Sequence, residues 1–401
     1  MNMKKLLKLA KLTLKNPRLA GAKIAVTWRN GVTAKWDYHL LNGRARPPAT
    51  ICIKLTNACN LSCKMCGQPR EGQAPDSIKY APEAFFRQTV SIDRYLRLLD
   101  EVSRFRPNIY LWGGEPFIYA DIFALIRHAQ KRGLVCQVNT NGMYLKKYCN
   151  EIIDSAVDDI IISIDGPAAV HDQVRGLPGT FKLVEAGIKA LLQEKRKRNV
   201  RKPVIRIRGT ISPENFEHIY TLTDIARGFG ADSLNFNWTW YTTRATGEAH
   251  QRLMKHLFGI DAVSWRPFET DVIMDPEKVR RFDGIRTELK KLQDNREEVL
   301  ITMSPAIKPE QVESYYTDIR NTFSCDRCYA VWVKSYVLPN GDITPCPDYP
   351  DYIAGNLLQN DFMEIWNGEK YVRWRQELMQ RKLFPVCYRC CDLFLSHVGV
   401  M

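Results

Sequence analysis

The chain contains no apolar run approaching the ~18 residues of a membrane-spanning helix, which excludes a helical transmembrane protein. It holds no internal repeat and no low-complexity tract, so solenoids and repeat arrays are excluded as well. Its first residues lack the long uncharged core and small-residue cleavage site of a secretory leader. Cysteine is too sparse for a disulfide scaffold: twelve in 401 residues is about 3%, against roughly 8–10%. These absences lead us to expect a cytoplasmic protein, whose clustered thiols bind metal or react rather than pair. What is present is an ordinary globular mixture, 45% hydrophobic and 25% charged, long enough for one large domain or two ordinary ones. Lys plus Arg outnumber Asp plus Glu by 58 to 44, a net charge of +14. Such a surplus suits anionic partners, whether nucleotides, phosphosugars, nucleic acid or an anionic membrane face.

The amino-terminal segment reads MNMKKLLKLAKLTLK. Lys4, Lys8, Lys11 and Lys15 share one helical stripe, and Leu6, Leu7, Leu9, Ala10 and Leu14 fill the opposite arc. A basic amphipathic helix of this kind either docks on its own domain or makes peripheral contact with an anionic membrane, and Asn16-Pro17 is expected to end it. From about residue 50 to 240, β-branched runs at 50–55, 109–112, 135–139, 160–164, 204–210 and 234–238 alternate with helical patterns at 91–105, 122–132, 145–155, 181–194 and 216–229. Strict alternation with nearly all-apolar strands predicts an α/β fold, a partial (β/α)6 TIM-like barrel whose chemistry sits at the carboxyl ends of the strands. The expected division is a basic segment at 1–48, the barrel at 49–240, a linker or insertion with few strand signals at 241–320, and a small β-hairpin/helix domain at 321–401. Pro339-Asn340-Gly341-Asp342 marks the hairpin.

The cysteines cluster: after Cys149 there is none until Cys325. Cys59-Asn-Leu-Ser-Cys63-Lys-Met-Cys66 directly follows the first strand, and three thiolates in one exposed loop can face one metal centre. A structural zinc site wants four ligands, whereas three leave one iron of a four-iron cluster open. The chain here resembles the radical S-adenosylmethionine superfamily, whose CxxxCxxC loop follows the first strand of a partial barrel. Gly113-Gly114-Glu115-Pro116 after the second strand matches the superfamily's GGEP segment, which the resemblance assigns to the methionine amino group. Ser163-Ile-Asp165-Gly166 resembles its SxDG segment, with Arg175 as the arginine that joins the cofactor's carboxylate. Asn139-Thr140-Asn141-Gly142 resembles its ribose-contacting turn, and is equally read as an ordinary Asn-Gly turn.

Cys328, Gly341 and Cys346 match the opening CX9–15GX4C of the SPASM extension found on many of these enzymes. Only Cys387-Tyr-Arg-Cys390 and Cys391 follow, fewer than a full SPASM domain. Cys328, Cys346, Cys387 and Cys390 therefore resemble the truncated "twitch" form, which closes one auxiliary [4Fe-4S] cluster. Cys325 and Cys391 are left beside proposed ligands and could replace them; a zinc ribbon on Cys325, Cys328, Cys387 and Cys390 is the rival reading.

The resemblance implies reductive cleavage of S-adenosylmethionine and abstraction of a substrate hydrogen. The first expectation is oxidation of a carbinol on a sugar, aminocyclitol or nucleoside-like small molecule, phosphorylated or nucleotide-linked, with the auxiliary cluster as electron acceptor. Epimerisation, with Cys325 or Cys391 as hydrogen-donor thiol, is the second, and peptide or protein maturation the third. A non-enzymatic iron–sulfur sensor would not pair an open triad with Gly113-Gly114-Glu115-Pro116. A reductant such as flavodoxin or ferredoxin is expected. Nucleic acid is not, since the Lys195–Arg198 run reads as a solvated helix end. Trp238, Trp240 and Tyr241 are read either as stacking on a ligand or as packing against 241–320, and His171, His218 and His250 as surface or satisfied histidines. Arg208, Asn237 and Glu248 lie near late strand ends without standing out as a base.

Overall fold

Each parallel strand turns alternate side chains to opposite faces, so a barrel strand must supply apolar residues for the helices outside and a second set for the interior. The chain does this in strands β1 Thr50–Lys54, β2 Asn108–Trp112, β3 Cys136–Thr140, β4 Asp159–Ser163, β5 Val204–Ile211, β6 Ser233–Trp238, β7 Leu300–Ser304, β8 Lys334–Val337, β9 Asp342–Thr344, β10 Gly355–Asn356 and β11 Gly399–Val400. The computed structural model describes residues 16–74, 77–270, 276–294, 299–394 and 399–400. The sheet order is β10-β9-β8-β1-β2-β3-β4-β5-β6-β7-β11. β8 and β1 to β7 run parallel, while β9, β10 and β11 add antiparallel at the two edges. Among the described residues its edges do not join, so this is a partial barrel.

Ile51, Ile53, Ile109, Leu111, Ile160 and Ile162 are fully buried in one apolar cluster with the helices. Between them Cys52, Lys54, Tyr110, Trp112 and Asp159 take the interior positions, and on β5 Arg206 and Arg208 do the same. The outer helices include α1 Pro17–Trp28, α2 Ala34–Leu40, α3 Ile92–Val102, α4 Ile122–Lys131, α5 Cys149–Asp154, α6 Ala168–Arg175, α7 Thr180–Lys197, α8 Thr221–Gly228, α9 Arg244–Phe258, α10 Pro276–Asp294 and α11 Glu369–Arg381.

Three features differ from expectation. Residues 241–320 are more than a linker: they supply β7, which pairs with β6 along its whole length. The expected boundary near 320 separates two strands of one sheet, because β8 returns to lie beside β1. Asn16-Pro17 also begins a helix, which the sequence did not lead us to expect. The Asn16 side chain accepts from Leu19 N at 3.0 Å and Pro17 takes the first helical position, where its missing N–H costs nothing. The amphipathic segment 1–15 lies outside the described residues. The hairpin forms as expected, with Gly341 at φ +86° in the turn between β8 and β9.

Arg375 ties the two ends of the chain together. Its guanidinium, on α11, donates to Val331 O at 2.9 Å, Trp366 O at 2.9 Å and Gly43 O at 3.2 Å, stacked against the Trp366 and Tyr371 rings. Arg375→Ala strands several buried carbonyls, and we expect it to cost about 3–5 kcal/mol. A urea-unfolding midpoint unchanged from wild type would refute that role.

Candidate functional site

The loop after β1 is held in place by the loop after β2. Gly114 N donates to Thr56 O and Glu115 N to Ala58 O, each at 2.9 Å. A Cβ on Gly114 would stand 2.0 Å from Ala58 O, so no other residue allows this approach. The glycine therefore serves backbone-to-backbone packing under the cysteine loop. Glu115 is fully buried, and its Oε1 accepts from Thr140 Oγ1 at 2.8 Å and Phe117 N at 3.1 Å while Oε2 accepts from Asn141 N at 2.9 Å. Burial pushes its carboxyl up to about 7 despite those donors. Glu115 and Thr140 thus brace the ends of β2 and β3, and Asn141 passes the brace on by donating to Asn60 Oδ1 at 2.7 Å inside the cysteine loop. Pro116 is buried beside them. Among the residues expected around S-adenosylmethionine, Gly113 O receives only a 3.4 Å contact from Gln68, and Ser163 ends β4 half-buried on the interior side.

Cys59 is exposed, Cys66 half-buried and Cys63 buried. Arg175 reaches Cys63 Sγ at 3.6 Å and pairs with Asp165 Oδ2 at 2.7 Å, so its charge is directed at the triad and at the SxDG loop. Arg70 donates to Cys63 O, Lys79 Nζ donates to Cys66 O at 2.7 Å, and Lys54 lies within electrostatic reach of Cys66. Burial raises the Cys63 thiol, against the pull of Arg175. Three sulfur donors ringed by cations fit an anionic iron–sulfur group, which would take the place of the thiol protons.

Beyond the barrel, Cys328 lies within electrostatic reach of Cys387, and Cys346 of Cys387 and Cys390. Asp348, which the sequence reading passed over, joins this set: it is 3% exposed, accepts from Cys390 Sγ at 2.9 Å and is pushed up to about 8 by burial. Its position two residues after Cys346 was the available signal. Cys325 has only Asp326 as a charged neighbour and stands apart. Cys391 instead hydrogen-bonds with Cys390 and faces Asp348, Asp392 and Lys334, with Cys52 beyond. Two buried thiols, Cys328 and Cys390, two half-buried ones, Cys346 and Cys387, and a carboxylate are a donor set that fits an iron–sulfur cluster. Among the described residues, no three His, Cys, Asp or Glu side chains are gathered as around a single metal ion.

Residues 265–268 connect the two cysteine groups. Trp265 and Phe268 pack with Tyr349, Val386 and Cys346, and the Phe268 ring closes over Gly67. Trp240 packs on Phe268 with centroids 5.4 Å apart, and Trp238 is buried with Nε1 donating to Pro305 O at 3.2 Å, so these aromatics serve packing against 241–320. His171 and His250 are buried, and burial holds both rings down near about 4.

This packing makes a prediction. Gly114→Ala should displace the triad loop while sparing the distant auxiliary thiols, so iron after anaerobic reconstitution falls from about eight per chain toward about four. Cys328→Ser should lose the other half. Full iron retention in Gly114→Ala would show that the close approach does not hold the triad.

The sequence matches the Radical SAM superfamily over residues 53–223 and the SPASM iron–sulfur cluster-binding domain over 328–391. An AdoMet-dependent heme synthase of Methanosarcina barkeri is 26% identical over 81% of this chain and 84% of its own. The sporulation killing factor maturation protein SkfB of Bacillus subtilis is 25% identical over 82% of this chain and 67% of its own. The crystal structure of Streptococcus suis SuiB bound to precursor peptide SuiA superposes with a TM-score of 0.56 at 16% identity, over 90% of this chain and 75% of that one. The chain belongs to the radical SAM superfamily, with a core that binds S-adenosylmethionine and a [4Fe-4S] cluster and a carboxyl-terminal SPASM-type domain for an auxiliary cluster.

Proposed function

We propose that this enzyme carries out a radical oxidation of a carboxylate-bearing substrate, of the tetrapyrrole class for which the heme synthases are named. When bound, the core cluster and S-adenosylmethionine supply the radical that takes a substrate hydrogen, and the auxiliary cluster offers an acceptor for the electron left behind. Cys59, Cys63 and Cys66 would hold the first, Cys328, Cys346, Cys387 and Cys390 the second, and Gly113 O and Ser163 Oγ would contact S-adenosylmethionine. The heme synthase and SkfB matches do not favour carbinol oxidation or epimerisation.

One observation carries this reading: two interior cations have no carboxylate partner among the described residues. Arg206 is paired with Asp159, and Lys334 with Asp392 at 2.8 Å. Arg208, by contrast, donates only to neutral groups: Asn235 Oδ1 at 3.0 Å, Tyr110 Oη at 2.9 Å and, at 3.5 Å, Asn139 Oδ1. Lys54 stands between the Phe85 and Trp112 rings, 5.9 and 5.8 Å from their centroids, and burial pushes its ammonium down to about 8. Trp112 Nε1 is buried without an acceptor. A desolvated cation with neutral neighbours is stabilised by an incoming anion far more than an exposed one. Strand alternation signals this: Val204-Ile205-Arg206-Ile207-Arg208 puts both arginines on the face opposite the isoleucines.

Peptide maturation is the second reading, favoured by the match to SkfB over most of the chain. The likeness to SuiB concerns the fold. To separate the readings, 5′-deoxyadenosine formation is measured with coproporphyrin III, its tetramethyl ester and a cysteine-containing peptide. Stimulation by the free acid alone supports the proposal; stimulation by the peptide alone replaces it. Arg208→Gln should raise KM for the acid by about 10- to 100-fold, with kcat within a few-fold, since a charge-assisted hydrogen bond contributes about 1.5–3 kcal/mol. Equal KM values for the variant and the wild type would remove Arg208 from substrate binding.

A further inference from the structure

We propose that Ile24, Trp28, Trp36 and Leu40 form a docking stripe for an anionic membrane surface. The four are 69%, 60%, 57% and 72% exposed, although they sit in a helical segment that buries Leu19 near its start and Ala34, Asp37 and Tyr38 near its end. Trp28 and Trp36 are the exposed tryptophans among the described residues.

Their alignment depends on a local irregularity. α1 runs without a break through a π-turn at Arg29–Thr33 into α2. In an unbroken α-helix Trp36 would stand about 80° round from Trp28. The π-turn takes up less rotation per residue and roughly cancels that offset. Ile24 and Trp28, then Trp36 and Leu40, are each four residues apart, so all four fall on one side.

The opposite side is fixed to the body of the protein. Leu19 packs on Val135 and Val204, Asn16 Nδ2 donates to Asp158 Oδ1 at 3.2 Å, and Tyr38 Oη donates to Met379 O at 3.2 Å. The stripe is therefore a rigid ridge.

Charge selects the occupant. Through residue 46 the chain carries eleven Lys and Arg against one acid, and that acid, Asp37, is buried and paired with Arg46. Lys35, Arg44 and Arg46 are exposed near the ridge. A second copy of this chain would bring the same cations face to face. Exposed tryptophan with apolar neighbours and a basic margin is the composition that settles at a lipid headgroup interface. No helix of the described residues is long and apolar enough to cross a membrane, so the contact is peripheral. Val135, Asp158 and Val204 lie at the amino-terminal ends of β3, β4 and β5, so docking leaves the opposite, cysteine-bearing end of the barrel facing away from the lipid.

Full-length reconstituted protein is floated with phosphatidylcholine vesicles containing 30% phosphatidylglycerol, and with phosphatidylcholine vesicles alone. We expect flotation with the anionic vesicles, weakened by salt, and a bound fraction reduced at least about tenfold in Trp28→Ser/Trp36→Ser and in Ile24→Ser/Leu40→Ser. Both pairs replace exposed side chains, and unchanged iron content and circular dichroism verify folding. Binding undiminished in both variants overturns the proposal, because segment 1–15 would then suffice. A wild-type dimer in sedimentation velocity that either variant dissociates also overturns it, since the stripe would then be buried between copies.

Discussion

The contact on which the rest of the site depends is the backbone approach of Gly114 to Ala58. Only because a hydrogen stands where a Cβ would be 2.0 Å from Ala58 O can Gly114 and Glu115 donate to the carbonyls leading into the triad. That anchors one strand end on another. The Glu115 carboxylate then reaches the Thr140 turn, the Asn141 side chain returns to Asn60 within the cysteine loop, and Arg175 adds a contact to Cys63 from beyond β4. Four consecutive strand ends are thereby laced to one eight-residue loop, from Cys59 to Cys66. A three-cysteine loop without this lacing would have to order itself around each iron, at an entropic cost the fold has already met.

The lacing also shows where sequence reasoning succeeds and where it stops. All six expected barrel strands are present, because parallel strands covered by helices carry an apolar signal strong enough to read locally. β7 escaped because it follows the charged α10 within a segment of few strand signals; β8 escaped because its interior positions are Lys334 and Tyr336, which dilute the apolar pattern. Glu115 and Thr140 stand out in the sequence, but it gives residue type and order, not the direction of a side chain. Which oxygen faces which N–H depends on strands 25 residues apart in the chain. The same limit applies to Cys325 and Cys391: adjacency to a proposed ligand in sequence says nothing of which thiol turns inward, and here the neighbouring charges differ.

The segment 241–320 changes meaning once it is folded. Its aromatic residues have no periodicity to read, yet Trp265 and Phe268 occupy the space between the triad loop and Cys346, with Trp240 stacked behind. An apolar wall there keeps water from the space between the two cysteine groups. Water near the triad would compete for the open iron, so an insertion that contributes no ligand still serves the chemistry.

A barrel interior that holds Lys54, Arg206, Arg208 and Lys334 is costly to fold, since each buried cation gives up hydration. Two are compensated by carboxylates of the chain itself, Asp159 and Asp392. The other two have no carboxylate: Arg208 is left with amides and a phenol, and Lys54 with two aromatic rings and, within electrostatic reach, Cys66 of the triad. Placing a glutamate opposite Arg208 would stabilise the empty protein, and it would also abolish the attraction for an anionic guest. Uncompensated charge in an interior that is otherwise well paired is thus better explained by binding than by folding, because only a ligand gains from it.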